Sequence, residues 1–115
     1  MSIAAFLTAR LEEDEALAKA AQGLLGIEAP WHTVAQLHDR GITRGDASHI
    51  ARHSPARELR EVTAKRSILR THKSVRSSGK VQCEGCLTTF WPCPDLKDIA
   101  SAWSDHPGYD QAWKP

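Results

Sequence analysis

The three cysteines of this chain lie close together near its C-terminal end. Cys83 and Cys86 form a CxxC pair, and Cys93 follows seven residues later. Three thiols cannot all pair within one chain, and a CxxC pair is typical of metal or redox chemistry in a reducing compartment. A thioredoxin-type redox centre needs a βαβ setting, which the surrounding sequence lacks. The cluster therefore predicts a metal site and a cytoplasmic protein.

A structural zinc site needs four ligands, usually Cys and His, in a tetrahedron. His72 lies eleven residues before Cys83 and is the first choice for the fourth ligand, because the end of the preceding helix could bring it over the cysteine loop. His106 is the second choice, and Asp105 or a water molecule are further alternatives. Three thiolates and one imidazole would close the coordination shell, which favours a structural Zn²⁺ over a catalytic one. The competing interpretation is three unrelated, reduced thiols packed as small apolar groups.

A second group with chemical potential is the histidine pair His49 and His53. The two residues are four apart, close to one helical face, and Asp46 precedes them. Together they suggest a metal-dependent hydrolase or nuclease, although packing at a helix junction accounts for them as well. The chain has no HExxH motif, no asparagine for a His-Asn-His site and no glycine-rich phosphate loop. The interpretation therefore leans towards a protein that is not an enzyme.

Charge is strongly segregated along the chain, although the net charge is only +1. Residues 51–80 carry nine basic and two acidic side chains, whereas residues 1–30 carry two basic and five acidic side chains. Such a basic row either contacts phosphates or pairs with the acidic first helix, within the chain or across a homodimer. The candidate macromolecule-binding residues are Arg57, Arg60, Lys65, Arg66, Arg70, Lys73 and Arg76.

The N-terminal part of the chain predicts one long helix and then a segment rich in glycine. Apolar residues at helical spacing predict an amphipathic helix over 3–22, with Ser2 as N-cap, Leu17 on the apolar side and an end at Gly23. Residues 31–43 fit either a β-hairpin that turns at Asp39–Gly41 or a short helix over Thr33–Asp39. The hairpin is slightly favoured.

The remainder of the chain predicts shorter helices around a linker. Asp46 is a candidate N-cap for a helix over 47–52, and Ser54 is one for a basic helix over 55–71. Residues 73–80 have the composition of a flexible basic linker. Pro94 predicts a helix over 95–103, and the rings of Tyr109 and Trp113 are expected to anchor the C-terminus on the core.

These elements add up to one small domain over residues 1–115. We divide it into an N-terminal helix (1–25), an irregular or hairpin segment (26–45), central helices (46–72) and a zinc-bound C-terminal module (73–115). The fold class is mainly α, with α+β as the alternative. No signal peptide or membrane span is predicted, so no membrane partner is expected.

The sequence also resembles a family as a whole. HIARHSPARELREVTAKRSIL, the CxxC pair, WPCPDLKDIA and DHPGYDQAWKP are similar to an uncharacterised family of small proteins from actinobacteria and their phages. The resemblance implies a phage or actinobacterial cytoplasm and favours His72 over His106 as ligand. The leading hypothesis is a non-enzymatic protein that binds a host or cellular protein or nucleic acid. A structural or dimerising phage component is a further alternative.

Overall fold

A computed structural model of the chain describes residues 1–22, 31–87 and 90–115. The described residues are mainly helical, with one short antiparallel hairpin, which confirms the predicted fold class. In chain order the elements are α1 (Ile3–Gln22), α2 (Val34–Asp39), α3 (Arg44–Arg52), α4 (Pro55–Thr71), β1 (Ser74–Ser77), β2 (Lys80–Cys83) and α5 (Pro94–Ala100), followed by 3₁₀ turns at Ser101–Trp103 and Gln111–Trp113. The predicted helix end at Gly23 lies outside the described residues.

The chain divides into two compact units. Residues 1–11 and 64–115 form one of them, which we call the C-terminal unit, and residues 12–63 form the other, which we call the middle unit. The expectation of one small domain stays a prediction.

Two N-cap serines begin the two long helices where the sequence predicts. The Ser2 hydroxyl accepts a hydrogen bond from the Ala5 amide at 3.1 Å, and the Ser54 hydroxyl accepts one from the Arg57 amide at 3.2 Å. Each bond satisfies an amide that has no partner within the first turn of its helix. The predicted spans 3–22 and 55–71 are thereby confirmed.

The core of the C-terminal unit is built by the start of α1, the helix α5 and the C-terminal tail. Its fully or nearly buried members are Ile3, Phe6, Leu7, Cys83, Cys93, Leu96, Ala100, Tyr109 and Trp113. Tyr109 and Trp113 meet edge to face at 5.7 Å, and Phe6 contacts their rings at 6.2 and 5.1 Å. The two rings anchor the tail on the core, as predicted, and this core surrounds two of the three cysteines.

The middle unit differs from the slightly favoured prediction for residues 31–43. That segment contains α2 rather than a β-hairpin, because Thr33 and Gln36 form a complete capping box at its start. Gly41 follows the helix at a φ of 85°, a conformation that suits glycine after a helix end. The short helix, which was the alternative interpretation, is therefore correct.

Two further details of the middle unit differ from prediction. The helix α3 begins at Arg44 and its N-cap is Thr43, whose hydroxyl accepts from the Asp46 amide, so Asp46 lies inside the first turn. Leu17 was expected on the apolar side of α1, yet it is 68% exposed. Ala18 is the buried residue at this level of the helix.

The predicted linker over residues 73–80 contains a β-hairpin. The strands β1 and β2 pair antiparallel, from Ser74 opposite Cys83 to Ser77 opposite Lys80. Ser78 and Gly79 connect them with positive φ values of 50° and 77°, the combination of a type I′ turn, whose twist matches the strands. The hairpin starts two residues after His72 and ends on Cys83, so it brings these two positions together.

The C-terminal helix is shorter than predicted. The helix α5 ends at Ala100, and residues 101–103 continue as a 3₁₀ turn, where the sequence predicted one helix to 103. Among the residues that the structure describes, no helix is long and apolar enough to span a bilayer.

Candidate metal centre

Four elements of the C-terminal unit each bring one ligating side chain to the same place. His72 directly follows the last residue of α4, and Cys83 is the last residue of β2. Cys86 lies in the turn after β2, and Cys93 is the N-cap of α5. The ligating atoms of all four residues lie within 4.8 Å of one another. The structure thus assembles the Cys3His set that the spacing predicted.

The interatomic distances fit a tetrahedral ion. His72 Nδ1 lies 3.5 Å from Cys83 Sγ, 3.2 Å from Cys86 Sγ and 3.5 Å from Cys93 Sγ. Zinc bonds of about 2.3 Å to sulfur and about 2.0–2.1 Å to nitrogen give a tetrahedral N···S edge of about 3.6 Å. The three N···S edges therefore match those of a zinc site to within a few tenths of an ångström.

The surroundings hold the cluster in place. Cys83 and Cys93 are fully buried in the core of the C-terminal unit, whereas Cys86 is partly exposed. The Glu84 amide donates to the Lys73 carbonyl at 2.8 Å, which extends the hairpin ladder past Cys83. Because burial removes the alternative positions of a side chain, the two buried thiols are pre-organised for a metal.

Gly85 marks the closest approach between the CxxC turn and the end of α4. A Cβ atom at this position would lie 2.5 Å from the Thr71 carbonyl oxygen and 3.5 Å from His72 Cδ2. No larger residue fits without a backbone shift, so glycine allows the turn that carries Cys86 to sit directly against the helix end that carries His72.

The thiols influence one another's ionisation. Burial and a hydrogen bond to Asp95 raise the pKa of Cys86 to about 12, and burial raises the pKa of Cys93. Burial also acts to raise the pKa of Cys83, but hydrogen bonds from the Cys86 and Gly85 amides and from the other thiols outweigh it and lower that pKa. A divalent cation at the centre would favour the thiolate form of all three residues.

Asp95 is a neighbour of the cluster that the sequence analysis did not name as a ligand. Its Oδ2 atom lies 3.3 Å from Cys86 Sγ and 3.8 Å from His72 Nδ1, while its side chain is 58% exposed. Its position two residues after Cys93, in the first turn of α5, was the available signal. A carboxylate here can accept hydrogen bonds beside the ligands or replace one of them.

His106, the second choice for the fourth ligand, has a different role. Its ring packs against Phe6 at 5.6 Å, and its Nδ1 atom accepts a hydrogen bond from the Gly108 amide at 2.9 Å. Arg10 contacts the same ring nitrogen at 3.0 Å. His106 thus fastens the C-terminal tail, and it is not a member of the Cys3His group.

The histidine pair lies in the middle unit. His49 and His53 are exposed, and their rings stack at 4.3 Å with an interplanar angle of 30°. Together with Ser48 and Arg52 they line a shallow cavity of about 330 Å³. Among residues 1–22, 31–87 and 90–115, His49, His53 and Asp46 do not come together as a candidate metal-binding group.

The predicted basic row divides between the two units. Arg57 and Arg60 belong to the middle unit, where Arg57 forms an ion pair with Glu61 of its own helix at 3.0 Å. Lys65 lies over the Trp103 ring at 5.3 Å. The other members in the C-terminal unit are Arg66, which is partly buried, and the exposed Arg70, Lys73 and Arg76.

These features define a class of protein: a small, mainly helical chain with a Cys3His cluster between a helix end, a β-hairpin and a short C-terminal helix. A family model described as a family of unknown function (DUF6221) matches residues 1–115. The chain therefore belongs to this family, which agrees with the resemblance to an uncharacterised family. Comparisons with curated proteins and with solved structures find no match.

Proposed function

We propose that this chain is a zinc-stabilised, non-enzymatic protein that binds double-stranded DNA through its β-hairpin. The observation that carries the proposal is the position of the exposed basic hairpin, which is joined at its open end to His72 and Cys83. A metal held by these residues would fix the hairpin on the core. The reduced cysteines and the family resemblance support a cytoplasmic setting in an actinobacterium or a phage-infected cell.

Zinc is the metal that the donor set favours. Three thiolates and an imidazole are soft to borderline ligands, which suit Zn²⁺ better than Mg²⁺ or Ca²⁺. Four protein ligands leave no coordination position for a water nucleophile, so the ion would contribute stability and not catalysis.

The hairpin has the charge of a nucleic-acid-binding element. Between Val62 and Cys83 the sequence has six Lys or Arg residues and no Asp or Glu. Every side chain of β1 is exposed, as are Lys80 and Val81 of β2, so the turn end of the hairpin projects its residues into solvent. Such a surface attracts phosphates, and every phosphate neutralised adds to the salt dependence of binding.

The geometry of the hairpin favours duplex DNA over RNA. Arg76 pairs with Val81 and Ser77 pairs with Lys80, so Arg76 and Lys80 point to opposite faces of the ribbon. A two-stranded ribbon fits the major groove of B-DNA, about 12 Å wide, where cations on both faces can meet phosphates on both walls. The deep, narrow major groove of A-form RNA would exclude it.

The test is the binding of a labelled DNA duplex, measured by fluorescence anisotropy from about 50 to about 200 mM salt. The variant Lys73→Gln/Arg76→Gln/Lys80→Gln is expected to reduce the slope of log affinity against log salt by about 2–3, at about 0.9 for each lost phosphate contact. An RNA duplex and a single strand of the same sequence are expected to bind more weakly than the DNA duplex.

The matched control is Arg40→Gln/Arg44→Gln/Lys114→Gln. It removes the same number of charges from exposed positions outside the hairpin, so its affinity and salt slope are expected to stay near those of the wild type. The proposal is refuted if wild-type protein loaded with zinc does not bind DNA, or if both triple variants weaken binding equally. A dimer in solution whose formation depends on the hairpin cations would instead support the dimerising alternative.

A further inference from the structure

A cavity of about 340 Å³ lies in the C-terminal unit between the first two turns of α1 and the end of α4. It is lined by Ala4 and Thr8 of α1 and by Arg66, Leu69, Arg70 and Lys73 at the other side. Arg66 and Arg70 are one helical turn apart, about 6 Å along the axis, so both guanidinium groups can reach one anion. The residues that line the cavity therefore include three cations and no carboxylate.

We propose that this cavity binds a phosphate monoester, either a free mononucleotide or the 5′-phosphorylated end of a nucleic acid. A monoester carries up to two negative charges and three terminal oxygens, and it suits a cavity lined by three cations better than a singly charged carboxylate or phosphodiester. Guanidinium groups bind phosphate through paired N–H donors, so Arg70 and Lys73 can bind the anion while Arg66 adds a third positive charge to the cavity wall. This inference goes beyond the proposed DNA-binding function and does not depend on it.

The other walls of the cavity indicate that the phosphate carries an organic group. Ala4 and Leu69 present apolar surface beside the cations, and Leu69 is partly buried against the core. A bare phosphate would leave this surface in water, whereas a sugar or base attached to the phosphate would cover it. The cavity volume lies within the range of small-molecule sites.

The Thr8 hydroxyl shapes the cavity without donating to the phosphate. It donates its hydrogen bond to the Ala4 carbonyl one turn earlier at 2.8 Å. The proposed donors for the anion are therefore Arg70 at the end of α4 and Lys73, which precedes β1. Arg66 contributes its positive charge to the same cavity.

The experiment compares the binding of AMP and of adenosine to the zinc-loaded protein by NMR titration in a phosphate-free buffer. AMP is expected to bind at least about tenfold more tightly than adenosine, because only AMP carries a phosphate for the cations to bind. Arg70→Gln is expected to weaken AMP binding about tenfold. Arg44→Gln makes the same change at an exposed position of α3, outside the cavity, and is expected to leave AMP affinity within about twofold of the wild type. Zinc content and thermal melting establish that both variants are folded.

A second comparison identifies the source of the phosphate. A single-stranded oligonucleotide with a 5′-phosphate is compared with the same strand ending in a 5′-hydroxyl. If the phosphorylated strand binds more tightly than the hydroxyl strand, and Arg70→Gln abolishes this difference, the ligand is a nucleic-acid end. If only AMP binds more tightly than its unphosphorylated counterpart, the ligand is a free nucleotide. Equal binding of AMP and adenosine, or equal losses of AMP affinity in Arg70→Gln and Arg44→Gln, would overturn the inference. The DNA-binding proposal is decided by a separate experiment, which measures the affinity for duplex DNA and its loss in Lys73→Gln/Arg76→Gln/Lys80→Gln.

Discussion

The sharpest prediction concerns the fourth metal ligand and is tested by His72→Ala. The structure brings His72 Nδ1 within 3.2–3.5 Å of all three sulfur atoms, whereas His106 lies against Phe6 and the Gly108 amide. We therefore expect one zinc ion per wild-type chain, a much weaker site in His72→Ala and an unchanged site in His106→Ala.

The size of the effect follows from the ligand count. Structural zinc sites bind with about 10–16 kcal/mol, so the loss of one ligand in four removes about 3–4 kcal/mol if the ligands contribute evenly. That is a loss of zinc affinity of about two to three orders of magnitude. His106→Ala loses the hydrogen bond from Gly108, the contacts with Arg10 and the ring contact with Phe6, which costs about 1–3 kcal/mol of folding stability and no zinc.

The assay is competition for zinc against a chromophoric chelator, with elemental analysis of the purified variants. Asp95 complicates the result, because its carboxylate lies 3.8 Å from His72 Nδ1 and can take the vacated position. The double variant His72→Ala/Asp95→Asn removes that route and is expected to bind zinc more weakly than His72→Ala alone. Full zinc affinity in His72→Ala/Asp95→Asn, or a folded wild-type chain that takes up no zinc, would refute the metal centre.

Two further perturbations test the packing that supports the cluster. Gly85→Ala is expected to lower the free energy of unfolding by about 1–3 kcal/mol and to speed zinc release, because the added Cβ meets the Thr71 carbonyl oxygen at 2.5 Å. The control in melting and chelator-release experiments is Gly45→Ala, where a Cβ meets nothing within 4 Å. Equal effects of the two substitutions would contradict the close approach at Gly85. Leu96→Ala is expected to lower the free energy of unfolding by about 2–5 kcal/mol because Leu96 is fully buried. Leu17→Ala, at a residue 68% exposed, is expected to change it by less than about 0.5 kcal/mol in denaturant titrations, and a comparable loss there would contradict the burial.

The ligand set could be predicted from sequence because its chemistry is local. A CxxC pair, a third cysteine ten residues after the first and a histidine at a helix end together form a pattern that is typical of zinc sites. The helices α1 and α4 could be predicted for a similar reason, since each has a serine N-cap and apolar residues at helical spacing. The caps join residues three apart, whereas the ligand set spans 21 positions from His72 to Cys93 and was recognised from the types and spacing of its residues.

The segment around α2 shows a competition between two local signals. The residues from Trp31 to Leu37 favour a strand by composition, but Thr33 and Gln36 have the spacing of a capping box. Two reciprocal side-chain bonds at the helix start outweigh a weak strand preference in a short segment. The capping spacing is visible in the sequence and is the stronger of the two signals.

The hairpin after α4 could not be predicted from hydrophobic pattern because it has almost none. All four residues of β1 are exposed, so the alternation that normally reveals a strand is missing. The turn at Ser78–Gly79 was its one local signal. The strand pairing depends on long-range anchoring, since the open end of the hairpin is joined to the core through the buried Cys83.

This anchoring shows why a metal matters to a hairpin that makes so few contacts of its own. A two-stranded ribbon with exposed side chains is marginal in water, because it buries too little apolar surface to offset the entropy of ordering its backbone. A tetrahedral ion bound by His72 and Cys83 would hold both strand ends, while Cys93 would join them to α5 and the core. The cations on the ribbon are then not needed for packing. A metal in this site would therefore order a ribbon whose cations remain exposed to solvent.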